Sequence, residues 1–257
     1  MENPTPIAPI PMKLPRFLLS LLIKPKQAFT QLDQTGKPHF LWAAAAMLVV
    51  IWLAAIVTLP VTQREAAEGY ETMMEQTAGK MSDQQVAVLE QQQAFSTSPV
   101  MLVGATGIMQ TISYPILWLS AAGVLYLLSL AFGGRTRFGT ILSMAVWASA
   151  AEIVAKLFVM LGTLALGRTP EPGLSYLVAT SDLAALTAGS AALSAFLAKI
   201  TLFDIWYLVL IGVGVVACAK VTRVKGAVIT ILYWLISLIP PVAMAAISAA
   251  ITASFMG

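Results

Sequence analysis

LFDIWYLVLIGVGVVACAKVTRVK, residues 202–225, is the stretch whose reading decides the fold. It enters through Phe203, Asp204 and Trp206, runs without a charge over residues 207–219, and leaves through Lys220, Arg223 and Lys225. A hydrocarbon core of about 30 Å is crossed by about 20 apolar residues in a helix. Trp and Tyr favour the headgroup level, and Lys and Arg are retained on the cytoplasmic side. The stretch therefore reads as a membrane span that runs from outside to inside. Asp204, at the N-terminal end of that helix, sits where the helix dipole favours a carboxylate.

The rest of the chain has the same character. Of its 257 residues 58% are hydrophobic and only 11% charged, with a mean hydropathy of +0.83, whereas a soluble domain carries about 25% charged residues. The fold class is all-α, a polytopic membrane protein. The net charge of +3 comes from basic residues beside apolar runs, so it concerns topology and implies no nucleic-acid partner. One cysteine, Cys218, excludes an internal disulfide and reads as a small buried apolar residue.

Beyond the opening stretch, residues 227–255 form a last span expected to kink at Pro240 and Pro241, with small residues that permit close helix approach. Before it, residues 174–199 are apolar but rich in Ala, Ser and Thr and interrupted by Asp182. A full crossing there would place Lys220, Arg223 and Lys225 outside. The segment is therefore read as an interfacial or re-entrant helix capped by Ser181 or Asp182, with a packing face of Ala185, Gly189 and Ala192 or Leu193.

Residues 138–166 make a span carrying Glu152 and Lys156, four apart and on one helix face. Glu152 stands about 21 Å along the helix from Phe138, inside or at the edge of the hydrocarbon, where an ionisable group costs at least about 2.5 kcal/mol and must face protein or water. The pair is a candidate intramembrane polar site, or an ion pair that fixes helix register. Residues 112–132 form a further span with a helical lead-in from residue 100, and residues 40–59 form the first, ended by Pro60. Gly133 and Gly134, with Arg135 and Arg137, make an inner turn between spans.

The one strongly polar stretch, residues 61–99, holds six acidic residues against Arg64 and Lys80 and is placed outside. The spacing of Ala66, Tyr70 and Met73, a break at Gly79, and a capping box at Ser82 and Gln85 predict a helical hairpin. It serves as a connector or a docking surface. At the other end, four prolines in residues 1–12 predict an extended leader. Leu14, Phe17, Leu18, Leu21 and Leu22 then form one helical stripe. Pro25 opens a second short helix through Ala28, Phe29 and Leu32. This N-terminal amphipathic region, residues 13–39, lies in the inner interface or packs on the underside of the bundle; both readings stand. His39, lacking a second ligand in register, is an interface residue. The model has five spans, N-terminus inside and C-terminus outside, with ten Lys and Arg in its inner segments against four in its outer ones.

Three local patterns, KPKQAF at residues 24–29, FGGRTRFG at residues 132–139 and LFDIWYLVLIGVG at residues 202–214, resemble the Ypt-interacting-protein (Yip) family of five-span membrane proteins. Pro25, Phe29, Gly133, Gly134, Phe203, Asp204 and Trp206 are the motif and anchoring residues of that resemblance. Two departures, a short region before the first span without an acidic and aromatic motif, and Ala151 and Glu152 where the family often has a proline, argue against a Rab-type GTPase role. They make the chain look like a prokaryotic member, in the plasma (bacterial inner) membrane.

The resemblance implies a non-enzymatic accessory or scaffold subunit with membrane-protein partners, such as subunits of a macrolide-exporter-type ABC transporter, or further copies of itself. The alternative is a small transporter or channel using Glu152 and Lys156. The sequence contains no two-carboxylate motif, metal-ligand spacing, nucleophile elbow or phosphate-binding glycine loop, so neither an enzyme nor a cofactor is expected.

Overall fold

The structure is a computed structural model that describes residues 17, 20–21, 23–35, 40–77, 83–178 and 187–256. Among these residues the regular structure is helical, with no strand. The helices are α1 (Pro25–Thr35), α2 (Phe40–Val57), α3 (Leu59–Thr77), α4 (Asp83–Ser96), α5 (Thr106–Ala131), α6 (Phe138–Ala148), α7 (Ala150–Leu166), α8 (Ala188–Ala198), α9 (Leu202–Ala219) and α10 (Arg223–Met256). A π-helical segment, Val100–Ala105, leads into α5. Five helical stretches are long and apolar enough to cross a membrane: Phe40–Val57, Val100–Ala131, Phe138–Leu166, Leu202–Ala219 and Arg223–Ile251.

The chain divides into two compact units. The first takes in the described residues up to Ala44, then Leu117–Ala151, and those from Pro172 onward. At its centre is α9, flanked by α1, α6 and α10. Gly214 lets its neighbours close in, since a Cβ there would lie 2.5 Å from Met144 Cγ and 3.5 Å from Phe29 Cδ2. Ala28, Phe29, Met144, Leu210, Ile211, Val215 and Cys218 are all buried in this unit. The Cys218 thiol donates to the Phe29 carbonyl at 3.7 Å.

Upstream of α1, Leu21 is also fully buried, and the Phe17 ring meets Trp147 edge-on at 4.7 Å. For these residues the apolar stripe packs on protein. Lipid tails are as apolar as leucine, so it is close van der Waals fit that favours the bundle over the bilayer. Leu14, Leu18, Leu22 and His39 lie outside the described residues, as do Gly79 and Ser82.

α8 packs on α10, with Phe196 and Trp234 ring centroids 6.3 Å apart. Its 11 residues span only about 16 Å, too short to cross a bilayer. The helix starts from Thr187, whose hydroxyl accepts from the Ser190 N–H while the Ser190 hydroxyl accepts from the Thr187 N–H. Ser181, Asp182 and Ala185 lie outside the described residues. The chain enters this region through Gly173 at φ 57°, where a Cβ would stand 2.7 Å from the Leu197 carbonyl oxygen.

The second unit comprises Ala45–Ile116 and Glu152–Glu171. Gly107 receives the Trp52 ring, which a Cβ would meet at 2.8 Å, and the Trp52 Nε1–H donates to Thr111 Oγ1 at 3.2 Å. Pro60 was expected to stop the first helix; instead α2 ends at Val57 and α3 begins at Leu59, with Pro60 in its first turn. Proline is tolerated there because the first N–H groups of a helix have no intrahelical acceptor. α3 and α4 both rest on the π-helical segment, and the Gln63 side chain donates to the Thr97 carbonyl at 3.1 Å. The Glu65 carboxylate accepts from both the N–H and the hydroxyl of Thr169, fastening the root of α3 to the turn after α7.

One further detail departs from the sequence reading. Residues 138–166 were read as one helix, but Ser149 forms a one-residue turn between α6 and α7, with ψ at −4°. Its hydroxyl accepts from Trp118 Nε1–H at 2.8 Å and donates to the Ala145 carbonyl at 3.2 Å, so a contact with α5 coincides with the irregularity. Pro240 and Pro241 lie inside α10, which continues through them; membrane helices accept proline where neighbours satisfy the freed carbonyls.

Candidate functional site

In the second unit, four polar side chains of α5 and α7 meet. Two come from α5, Gln110 and Tyr114, and two from α7, Glu152 and Lys156, each pair being four residues apart and so on one helix face. The Lys156 ammonium donates to Gln110 Oε1 at 2.9 Å and stands 5.5 Å from the centroid of the Tyr114 ring, within reach of a cation–π attraction. The Tyr114 hydroxyl is hydrogen-bonded to the Glu152 carboxylate. All four residues are half-buried.

The geometry changes what Glu152 and Lys156 do. As an isolated helix face they form a pair within α7; in the folded chain each reaches α5 as well. Interhelical hydrogen bonds in an apolar surrounding join helices that gain little from the hydrophobic effect. Gln110 and Tyr114 are absent from the sequence reading, because they lie in an uncharged run where their only signal is their own spacing of four.

The motif residues all belong to the first unit and occupy the two ends of α9. At its start, Thr201 caps the helix: its hydroxyl accepts from the Asp204 N–H at 2.8 Å and donates to the Asp204 carboxylate. Phe203 and Trp206 are half-buried beside it. At the far end, Pro25 opens α1 and Phe29 is buried next to Cys218. Gly133 turns the chain at φ 79°, and Gly134 N–H donates to the Ser129 carbonyl at 2.7 Å. A Cβ on Gly134 would sit 2.8 Å from that oxygen and 3.1 Å from the Ala219 carbonyl oxygen, so the close approach requires glycine.

Among the described residues, no group of three or more His, Cys, Asp or Glu side chains is arranged to hold a metal ion. Neither the curated proteins nor the solved structures contain a significant match to the chain. A family profile for the Yip1 domain, by contrast, matches residues 19–244. That range takes in four of the five candidate spans whole and most of the fifth, and it includes both ends of α9 and the α5–α7 polar cluster. The chain is a multi-pass membrane protein that belongs to the Yip family.

Proposed function

We propose that the chain is a non-enzymatic accessory or scaffold subunit, from the prokaryotic branch of the family, that docks on another membrane complex such as a macrolide-exporter-type ABC transporter. The observation that carries this reading is the use made of the charged groups within the spans. Lys156 bonds Gln110 and Glu152 bonds Tyr114, so these groups tie α5 to α7. The excess of Lys and Arg in the segments before α2, between α5 and α6, and between α9 and α10 supports an orientation with the N-terminus inside the bacterial inner membrane. The α3 and α4 helices then stand on the outer side, as a surface for the partner. Copurification in mild detergent tests the role. Exporter subunits are expected to accompany the chain; a chain that always runs alone, with exporter activity unchanged on its deletion, would count against it.

A second reading, a small transporter or channel, is favoured by the same cluster, since four convergent polar side chains are the kind of lining a conduction path uses. It requires proteoliposome flux that collapses in Glu152→Gln. Flux indifferent to that change removes the reading.

A further inference from the structure

The ends of α6, α9 and α10 that meet at two short turns form a fastened, strongly basic surface in the first unit. The Arg135 N–H donates to the Ala219 carbonyl at 3.0 Å, and the Lys225 ammonium donates to the Phe132 carbonyl at 2.8 Å. These bonds hold the turn after α5 against the turn between α9 and α10. Arg135, Arg137, Lys220, Arg223 and Lys225 are all exposed on it, and Lys24 and Lys26 are exposed where α1 begins. Residues 23–32, 132–140 and 219–226 contain no Asp or Glu.

Two helices start here, and neither has an acid in its own first turn. Arg137 occupies the N-cap of α6 and makes no side-chain cap bond. The first turn of α10 contains Arg223 and Lys225 and no acid. The N-terminal end of a helix carries a positive partial charge that ordinarily attracts carboxylates, so basic side chains at both starts add to the local potential. Immediately beside the cations the surface turns apolar, with Leu130, Phe138 and Val224 exposed at 44%, 39% and 75%. A positive patch continuous with exposed apolar side chains matches a molecule with an anionic head and hydrocarbon tails better than it matches a soluble anion.

We propose that this surface binds the headgroup phosphates of anionic phospholipids in the leaflet it faces, with Arg135, Arg137 and Arg223 as the principal contacts. Arginine matches phosphate through two parallel N–H donors, and the bonded turns bring these three residues to one end of the unit. The association is electrostatic and weakens with salt, because the screening length falls from about 10 Å at 0.1 M to about 3 Å at 1 M.

The test uses the purified full chain in vesicles or nanodiscs of phosphatidylglycerol, of phosphatidylcholine, or of phosphatidylcholine with added inorganic phosphate. Native mass spectrometry and thermal unfolding are the readouts. Retained phosphatidylglycerol, with a higher unfolding temperature that 1 M salt abolishes, is the expected result. Equal behaviour in phosphatidylglycerol and phosphatidylcholine overturns the proposal. A matching rise with inorganic phosphate alone also overturns it, by identifying a free-anion site. Each of Arg135→Gln, Arg137→Gln and Arg223→Gln is expected to weaken retention about fivefold, the factor that corresponds to about 1 kcal/mol per charge beside an anionic leaflet. Retention unchanged in the triple variant sinks the assignment to these arginines. Arg137→Gln alone, at an exposed side chain, supplies the test should the triple variant not fold.

Discussion

Two regions of this protein hold membrane helices together by opposite means. Around α9, contact is made by shape: Gly214 admits Met144 and Phe29, and the buried neighbours are Ile211, Val215 and Cys218. Between α5 and α7, contact is made by polar groups, Lys156 to Gln110 and Tyr114 to Glu152. In a bilayer neither region gains much from removing apolar surface from water, because the alternative neighbour is hydrocarbon. The packed region depends on the absence of a few atoms. The polar region depends on the presence of a few bonds. The first should therefore be intolerant of added volume, and the second should lose stability in small, coupled steps.

The largest expected effect comes from filling the packed region. Gly214→Leu forces a branched side chain into space held by Met144 and Phe29 and should cost about 3 kcal/mol, read as a fall in thermal stability in detergent. Adding Met144→Ala should recover part of that loss; no recovery would place the damage elsewhere than this contact. For the polar region, Gln110→Leu and Lys156→Met are combined in a double-mutant cycle by denaturant unfolding. A coupling of about 0.6 to 1.7 kcal/mol is expected for an interhelical bond within a membrane protein, and additive effects would mean that the bond contributes nothing.

The smallest effect is expected where one polar contact sits inside the packed region, between the Tyr207 and Tyr233 hydroxyls 2.9 Å apart. Tyr207→Phe should change stability by less than about 0.6 kcal/mol. A larger loss would show that the two regions do not differ in the way proposed.

The same contrast explains what could be read from residues alone. Spans were legible because a run such as FLWAAAAMLVVIWLAAIV in α2 contains no charge over 18 residues. Composition alone gives such a run only one low-energy solvent. Pro60 misled because proline has two meanings, a stop within a helix and an ordinary residue in its first turn, and the turn at Thr58 selects the second. The irregularity at Ser149 was not legible, since it coincides with a hydrogen bond from Trp118, 31 residues away.

Of the candidate polar cluster, half could be seen. A carboxylate and an ammonium in an apolar run stand out, whereas Gln110 and Tyr114 carry no charge and are joined to them only by a fold that brings together residues 46 apart. The packing role of Phe17 and Leu21 was likewise undecided by periodicity. An apolar stripe has the same spacing whether it faces lipid or protein; in the fold Phe17 meets the Trp147 ring of α6 and Leu21 is fully buried.

The bonds that join Arg135 to Ala219 and Lys225 to Phe132 also set an order of events during synthesis. The turn after α5 leaves the ribosome long before residues 219–225 exist, so its backbone groups must wait through the insertion of α6, α7 and α9. Their bonds close only when the start of α10 has been made and placed on the same side of the membrane. The seal between the two turns is thus a late step of biogenesis, and a chain whose fourth crossing has the wrong direction is unable to complete it.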